Sequence, residues 1–299
     1  MESFTSLGRK IYDMNNPREV RRYVVFVARS WLNYNRMKQI DAFFQKNELR
    51  RELAGIYPFV YEQPQRAFFY NKSSFTERAA LIQEHFSFLE NALKPDKLLD
   101  IYRENDQILW ENEHEGEPLR LVLYYEPGQR KEGLLSIILR LGGRPLYQMI
   151  FWIQKNPQGE WSAYIGAMQG PNMDNAKEVI KKITKQCHAY RTKNLILHAM
   201  QETAKALGLK HLYAVTNDGY YAMNHVRRDR KLKTNFSDFW AESGGKPCKD
   251  GRFYELPLTE YRKSMEEVPT RKRANYRRRY ALMDEIDAAV KMGIQGICN

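Results

Sequence analysis

Residues 119–170 read LRLVLYYEPGQRKEGLLSIILRLGGRPLYQMIFWIQKNPQGEWSAYIGAMQG, and four short apolar or alternating runs stand out, over 119–125, 134–141, 146–153 and 161–168. Pro127-Gly128, Gly142-Gly143 and Asn156-Pro157-Gln158-Gly159 separate them. Runs of this length at hairpin spacing predict an antiparallel meander, because Gly and Pro supply the backbone angles of reversals and interrupt a ladder. Past Gln169-Gly170-Pro171 the apolar period becomes helical over 176–188 and 195–207, with Gly208 as a C-terminal stop. Residues 211–216 then read as a compact buried strand. Antiparallel strands, a glycine corner, helices and one further strand make an α+β fold rather than a repeating βαβ chain.

Upstream, apolar residues between 17 and 102 recur at spacings of three and four, as in Val24, Val27 and Trp31 or Leu81, His85, Phe88 and Leu89. That period is helical. Ser74 or Thr76 is placed to cap a helix over 77–93. Downstream lie a loop-rich stretch through Gly244-Gly245, a short strand over 253–256 and a long basic helix over 270–292, expected to pack back against the sheet. The expected organisation is a helical N-terminal region, residues 1–103, and an α+β domain, residues 104–299, whose central antiparallel sheet is flanked by helices.

With 299 residues, 43% of them hydrophobic and 13% aromatic, the chain can bury a core and is not disordered throughout. Cys187, Cys248 and Cys298 are too few and too scattered for a disulfide framework or a structural zinc site, which points to a reducing compartment. Residues 1–10 lack the apolar core of a secretory signal, and the longest apolar stretches, such as 23–28, fall short of a membrane span. A cytoplasmic location is expected. The six histidines show no metal-binding spacing with a supporting Cys or carboxylate, so no metal is expected, and no serine nucleophile elbow is visible. The formal charge is +12, and residues 201–299 carry 19 Lys and Arg against 13 Asp and Glu. Such a balance favours an anionic ligand or partner, whether nucleic acid, anionic lipid, phosphorylated cofactor or acidic protein.

Four separated segments carry a resemblance: Ile165-Gly166-Ala167-Met168-Gln169-Gly170; residues 184–191, ending His188-Ala189-Tyr190-Arg191; Asp238-Phe239-Trp240 leading to Gly244-Gly245; and residues 268–280, with Lys272-Arg273-Ala274-Asn275-Tyr276-Arg277-Arg278-Arg279-Tyr280. Together, in order and spacing, they resemble the VirK/YbjX family of bacterial proteins over roughly residues 75–290. The resemblance implies a link to virulence and to resistance against host antimicrobial peptides or envelope stress; it implies no particular reaction. In one place the chain departs from the family pattern. A His-Gly-Leu-Arg-Pro-type step is expected where His188-Ala189-Tyr190-Arg191-Thr192 stands, which puts in doubt any role resting on that Gly or Pro.

Two readings of function stay open. The strand, glycine corner and helices around Gln169 and Gly170 resemble the arrangement in which GNAT-type N-acyltransferases hold the pyrophosphate of an acyl-CoA, since free backbone amides at a strand-to-helix junction attract anions. Arg191, Lys193 and Asn194 are the expected further cofactor contacts, although both glycines of the usual phosphate loop are missing there. Such an enzyme needs a general base, for which Glu132, Glu160, His188 and Asp218 are available, and Tyr220 or Tyr221 could protonate the departing thiolate. Glu132, His188 and Tyr220 are the chosen candidates. The other reading is a non-enzymatic binding protein that holds an anionic partner on Arg271, Lys272, Arg273, Arg277, Arg278 and Arg279, with Arg227, Arg228, Arg230, Lys231 and Lys233 extending the surface. No recognised nucleic-acid module accompanies these clusters. The plain alternative is a solvated helix face paired with Glu266, Glu267 and Asp284.

Overall fold

The structure is a computed structural model that describes residues 2–224 and 235–299. Six helices come first: α1 (Phe4–Ile11), α2 (Pro17–Leu32), α3 (Tyr34–Phe44), α4 (Glu48–Ile56), α5 (Phe75–Ala92) and α6 (Pro95–Tyr102). Their starts follow local chemistry. Asn16 caps α2 by accepting from the Arg18 amide while Pro17 fills the first turn, where no amide is needed. Ser74, rather than Thr76, caps α5 in a reciprocal box with Glu77.

Five strands then form a continuous antiparallel meander: β1 (Gln107–His114), β2 (Glu117–Tyr124), β3 (Leu135–Leu141), β4 (Arg144–Lys155) and β5 (Trp161–Gln169). β1 has no apolar alternation because, as an edge strand, it buries only Leu109, Trp110 and His114. The chain continues through α7 (Ala176–Gln186) and α8 (Thr192–Ala206) to β6 (His211–Val215), which pairs parallel with β5. After α9 (Phe236–Glu242), β7 (Lys246–Pro247) and β8 (Phe253–Leu256) complete the sheet in the order β1-β2-β3-β4-β5-β6-β8-β7. The fold is therefore α+β, with a mostly antiparallel sheet.

The last helix, α10 (Thr270–Ile297), runs past the expected end at 292. Gly293 does not stop it. A Cβ there would stand 3.1 Å from the Leu109 side chain, so the glycine lets α10 lie close against β1. α10 also packs on α8, and both α5 and α8 pack on β4. One buried cluster extends from Phe4 to Ile297, with Trp152 and Phe151 of β4 fully buried in it. Within it, His85 of α5 accepts from the Ile153 amide at 3.1 Å and contacts the Tyr102 hydroxyl at 3.0 Å, which in turn donates to the Leu134 carbonyl at 2.9 Å. That chain fixes the tautomer: Nδ1 accepts, so Nε2 carries the proton.

Candidate functional site

The β5–β6 pairing lasts from Ser162–His211 to Ile165–Ala214, and the last four residues of β5, Gly166 to Gln169, have no β6 partner. Between the end of β5 and the segment that follows β6 stands Glu132. Its carboxylate accepts from the Gln169 amide at 2.9 Å and from the Tyr220 hydroxyl, and so ties the two diverging ends together. Gln169 and Gln129 also exchange amide hydrogen bonds at 2.7 Å.

The backbone here is built around missing Cβ atoms. One at Gly166 would lie 1.9 Å from the Glu132 carbonyl oxygen, one at Gly133 would lie 2.7 Å from the Phe151 carbonyl, and one at Gly219 would lie 2.0 Å from the Arg252 carbonyl. These glycines permit the close approaches that bring Glu132 and Tyr220 together. A segment from the first third of the chain holds them there. The Phe69 amide donates to the Lys131 carbonyl at 2.7 Å, the Asn71 amide to the Gly219 carbonyl at 2.8 Å, and Tyr70 forms a bridge with Tyr220. Phe69 adopts a φ of 67° to do so, a left-handed conformation that costs a bulky residue energy. Glu62, buried and contacted by Tyr12, Arg66 and Arg130, braces the same loop from the helical side.

Glu132 is 4% exposed. Burial raises its carboxyl above the ordinary glutamate value and outweighs the opposing hydrogen bonds from Tyr220 and Gln169 and the nearby Lys131 charge. Burial and the Glu132 charge together push the Tyr220 hydroxyl well above its usual range. The pair is thus a carboxyl with a raised pKa beside a phenol that holds its proton tightly.

Gln129, Gln169 and Gly170 form one wall of a cleft of about 320 Å³, with Tyr124, Arg140, Tyr147, Gln148 and Asn172 among its other lining residues. Arg140 lies 4.5 Å from the Tyr124 ring centre and is paired with Asp106, so the cleft's cation already has a counter-charge. Glu132 sits one side chain behind this wall.

Of the residues singled out in the sequence, Glu132, Tyr220 and Gln169 are in direct contact, and Gly170 shares the cleft with Gln169. The others lie elsewhere. α7 carries the chain away from the corner, and no described contact joins Arg191, Lys193 or Asn194 to Gln169 or Gly170. Lys193 lies over the Phe239 ring and pairs with Glu242 at 3.5 Å, Arg191 occupies the cap position of α8, and the Asn194 side-chain oxygen is buried without a partner. His188 lies in the turn after α7 and lines a different cavity, of about 450 Å³, with Trp110, Cys187, Arg278 and Leu282. Its carbonyl accepts from Asn275 at 2.8 Å and from Arg279 at 3.1–3.2 Å. Glu160, the other base considered on β5's entry turn, pairs instead with His211 at 2.8 Å.

The departure at 188–192 has a backbone explanation. His188 and Ala189 have φ of 54° and 60°, and Thr192 is the first residue of α8. Gly suits a left-handed turn, and Pro suits a first helical position. A Gly at 189 and a Pro at 192 would both suit the backbone that this chain adopts there.

The six cations of α10 do not form one face. Arg273 donates to the Val268 carbonyl, while Arg279 donates to His188 and Ala189 and stacks on Tyr276. Arg271, Lys272, Arg277 and Arg278 remain exposed. The expected acidic partners are mostly engaged elsewhere: Asp284 pairs with Arg262, and Glu267 accepts from Tyr261 and from the Ser264 amide. Arg227, Arg228, Arg230, Lys231 and Lys233 lie outside the described residues.

Sequence reasoning missed Gln129, which lies in a turn, and Arg140, the one cation in the apolar run 134–141. It also missed that His198 and Glu202, four apart on α8, meet Asp287 of α10 with ligand atoms within 4.8 Å. Arg262 and Lys205 already pair with the two carboxylates, at 3.0 and 2.6 Å. Among the described residues no helix is long and apolar enough to cross a membrane.

Comparison with known proteins places the chain. The family model described as "Protein of unknown function (DUF535)" matches residues 15–292. The chain is 31% identical to the uncharacterized protein YbjX of Escherichia coli (strain K12) over 184 residues, 60% of this chain and 55% of that protein. It is 26% identical to an uncharacterized protein of Haemophilus influenzae (strain ATCC 51907 / DSM 11121 / KW20 / Rd) over 89% of this chain and 87% of that one. It is 28% identical to a Mannheimia haemolytica protein named "Membrane protein LapB" over 62% of this chain and 79% of that one. No solved structure matches it significantly. With the family model covering nearly the whole chain and the YbjX likeness beside it, the protein belongs to the DUF535, or VirK/YbjX, family.

Proposed function

We propose that the protein is an acyl-CoA-dependent acyltransferase whose reaction takes place where β5 and β6 part. The observation that carries this reading is the Glu132–Tyr220 pair at the divergence, backed by the cleft at Gln169 and Gly170. A buried carboxyl with a raised pKa is a stronger base than an exposed one and suits proton removal from an amine near neutral pH. In the proposed step the amine nitrogen attacks the thioester carbonyl, and its proton passes to Glu132 once the Gln129 and Gln169 side chains, which stand between that carboxyl and the cleft, give way. The carbon–sulfur bond then breaks and the proton held by Glu132 reaches the leaving thiolate by relay through Tyr220, which gives up its own proton only as it takes the one from Glu132. A role in envelope stress, virulence or resistance to antimicrobial peptides, which the VirK/YbjX resemblance implies, and a cytoplasmic setting belong to the same proposal.

Calorimetry with acetyl-CoA and longer acyl-CoAs tests the reading. Binding is expected to survive Glu132→Gln while any acyl transfer is lost; no heat at millimolar ligand removes the reading. A second reading, an anionic partner held on α10, is favoured by the exposure of Arg271, Lys272, Arg277 and Arg278. Heparin or nucleic-acid binding unaffected by Arg277→Glu with Arg278→Glu would rule it out.

A further inference from the structure

α2 buries Phe26 and Ser30 against the helices around it. Its opposite face carries Val24, Ala28, Trp31 and Leu32 in the i, i+4, i+7, i+8 pattern of one helical stripe. Three of these are large and open to solvent: Val24 is 57% exposed, Trp31 62% and Leu32 83%. Trp31 is nevertheless fixed, edge-on to Phe4 at 5.3 Å and stacked on Tyr34 at 5.9 Å. An apolar stripe on the outside of a domain with an ample core needs a reason, because exposed patches of this kind mark contact surfaces.

Charge decides what the contact is. Residues 1–38 hold eight Lys and Arg but only three carboxylates. Arg18 and Arg21 are exposed beside the stripe, and Lys38 is exposed beyond its other end. Glu19, the one carboxylate on α2, is neutralised by Arg22. A helix with exposed Trp, Leu and Val rimmed by arginines fits the boundary between anionic headgroups and acyl chains. The apolar side chains insert, the indole sits at headgroup depth and the guanidiniums pair with phosphates. We infer that α2 docks this protein flat on an anionic lipid surface, through Val24, Trp31 and Leu32 inserted and Arg18 and Arg21 on the headgroups.

The full chain is to be sedimented with vesicles of phosphatidylglycerol and phosphatidylethanolamine, and separately with vesicles of phosphatidylcholine alone. It is expected to go down with the first and stay with the supernatant in the second. Trp31→Ser with Leu32→Ser, and separately Arg18→Glu with Arg21→Glu, are expected to weaken partitioning by about tenfold or more. Because these side chains stand outside the core, an unchanged circular dichroism spectrum confirms that each variant folds. Brominated lipid is expected to quench tryptophan fluorescence in the wild type and much less in Trp31→Phe. Lys246→Glu with Lys249→Glu, at exposed cations outside α2 and α10, is expected to leave vesicle binding intact, which separates the α2 face from a general effect of net charge. The inference is overturned if the wild type ignores anionic vesicles or if the Trp31/Leu32 variant binds them equally well. A dimer in analytical ultracentrifugation that this variant abolishes, without vesicle binding by the wild type, would assign the stripe to a second copy instead.

Discussion

Ala189 stands in left-handed backbone at φ 60°, and Thr192 opens α8 after an extended Arg191, at φ −65° and ψ 135°, that already suits a following proline. Ala189→Gly is expected to raise stability by about 1 kcal/mol, and Thr192→Pro by a few tenths to 1 kcal/mol, because each relieves strain or narrows the unfolded ensemble. Thermal denaturation checks both; a lower melting temperature for Ala189→Gly would contradict the turn assignment. His85 supplies a second test. Burial pushes its pKa down to about 3, so the folded protein binds this proton less readily than the unfolded chain does. Its contribution is complete above the unfolded value near 6.5 and is lost as pH falls toward 3, with a total of a few kcal/mol. Urea midpoints measured between pH 7 and 4 are expected to fall, and to fall less steeply in a folded His85→Gln variant.

At the scale of elements, the sequence made the meander, α7, α8 and β6 legible because their periods were regular and their turns carried Gly and Pro. β1 was hidden because an edge strand whose polar residues face solvent has no alternation to find. The expected end of α10 at 292 fell short because the helix continues through Gly293, which admits Leu109. The site itself is split among residues 129, 132, 169 and 220, which only the sheet brings together. Glu132 and Tyr220 were recognisable as chemical types, but no spacing could show that they touch. The glycines that make this contact, at 133, 166 and 219, are silent until their neighbours are known. The outer end of the β5–β6 pair offers its own test. His211 lies between Glu160 and Glu255 at 2.8 and 2.7 Å; partial burial opposes its protonation, but the two carboxylates prevail and raise its pKa. Its contribution is therefore full below about pH 6.5 and declines as pH rises through the raised folded value. A His211→Gln variant should lose its stability deficit relative to wild type between pH 6 and 9; a deficit constant across that range would refute the pairing.

At the scale of the molecule, the N-terminal helices do more than cover the sheet. Residues 69–71 clamp Lys131 and Gly219, Glu62 braces Arg130, and His85 reaches the β4 backbone, so the geometry of Glu132 depends on both ends of one buried cluster. Far-ultraviolet and near-ultraviolet circular dichroism should accordingly report one coincident unfolding transition, whereas two separated transitions would mean that the helices are dispensable to the site. The central claim concerns Glu132: buried and held by Tyr220 and Gln169, its carboxyl is raised above the ordinary glutamate value, as the proposed reaction requires. Carbon-13 NMR of glutamate-labelled protein across pH 3 to 8, with Glu132→Gln to identify the resonance, measures this directly. The account predicts that the Glu132 signal titrates clearly above the other glutamates, and a signal that titrates with them or below them would contradict it.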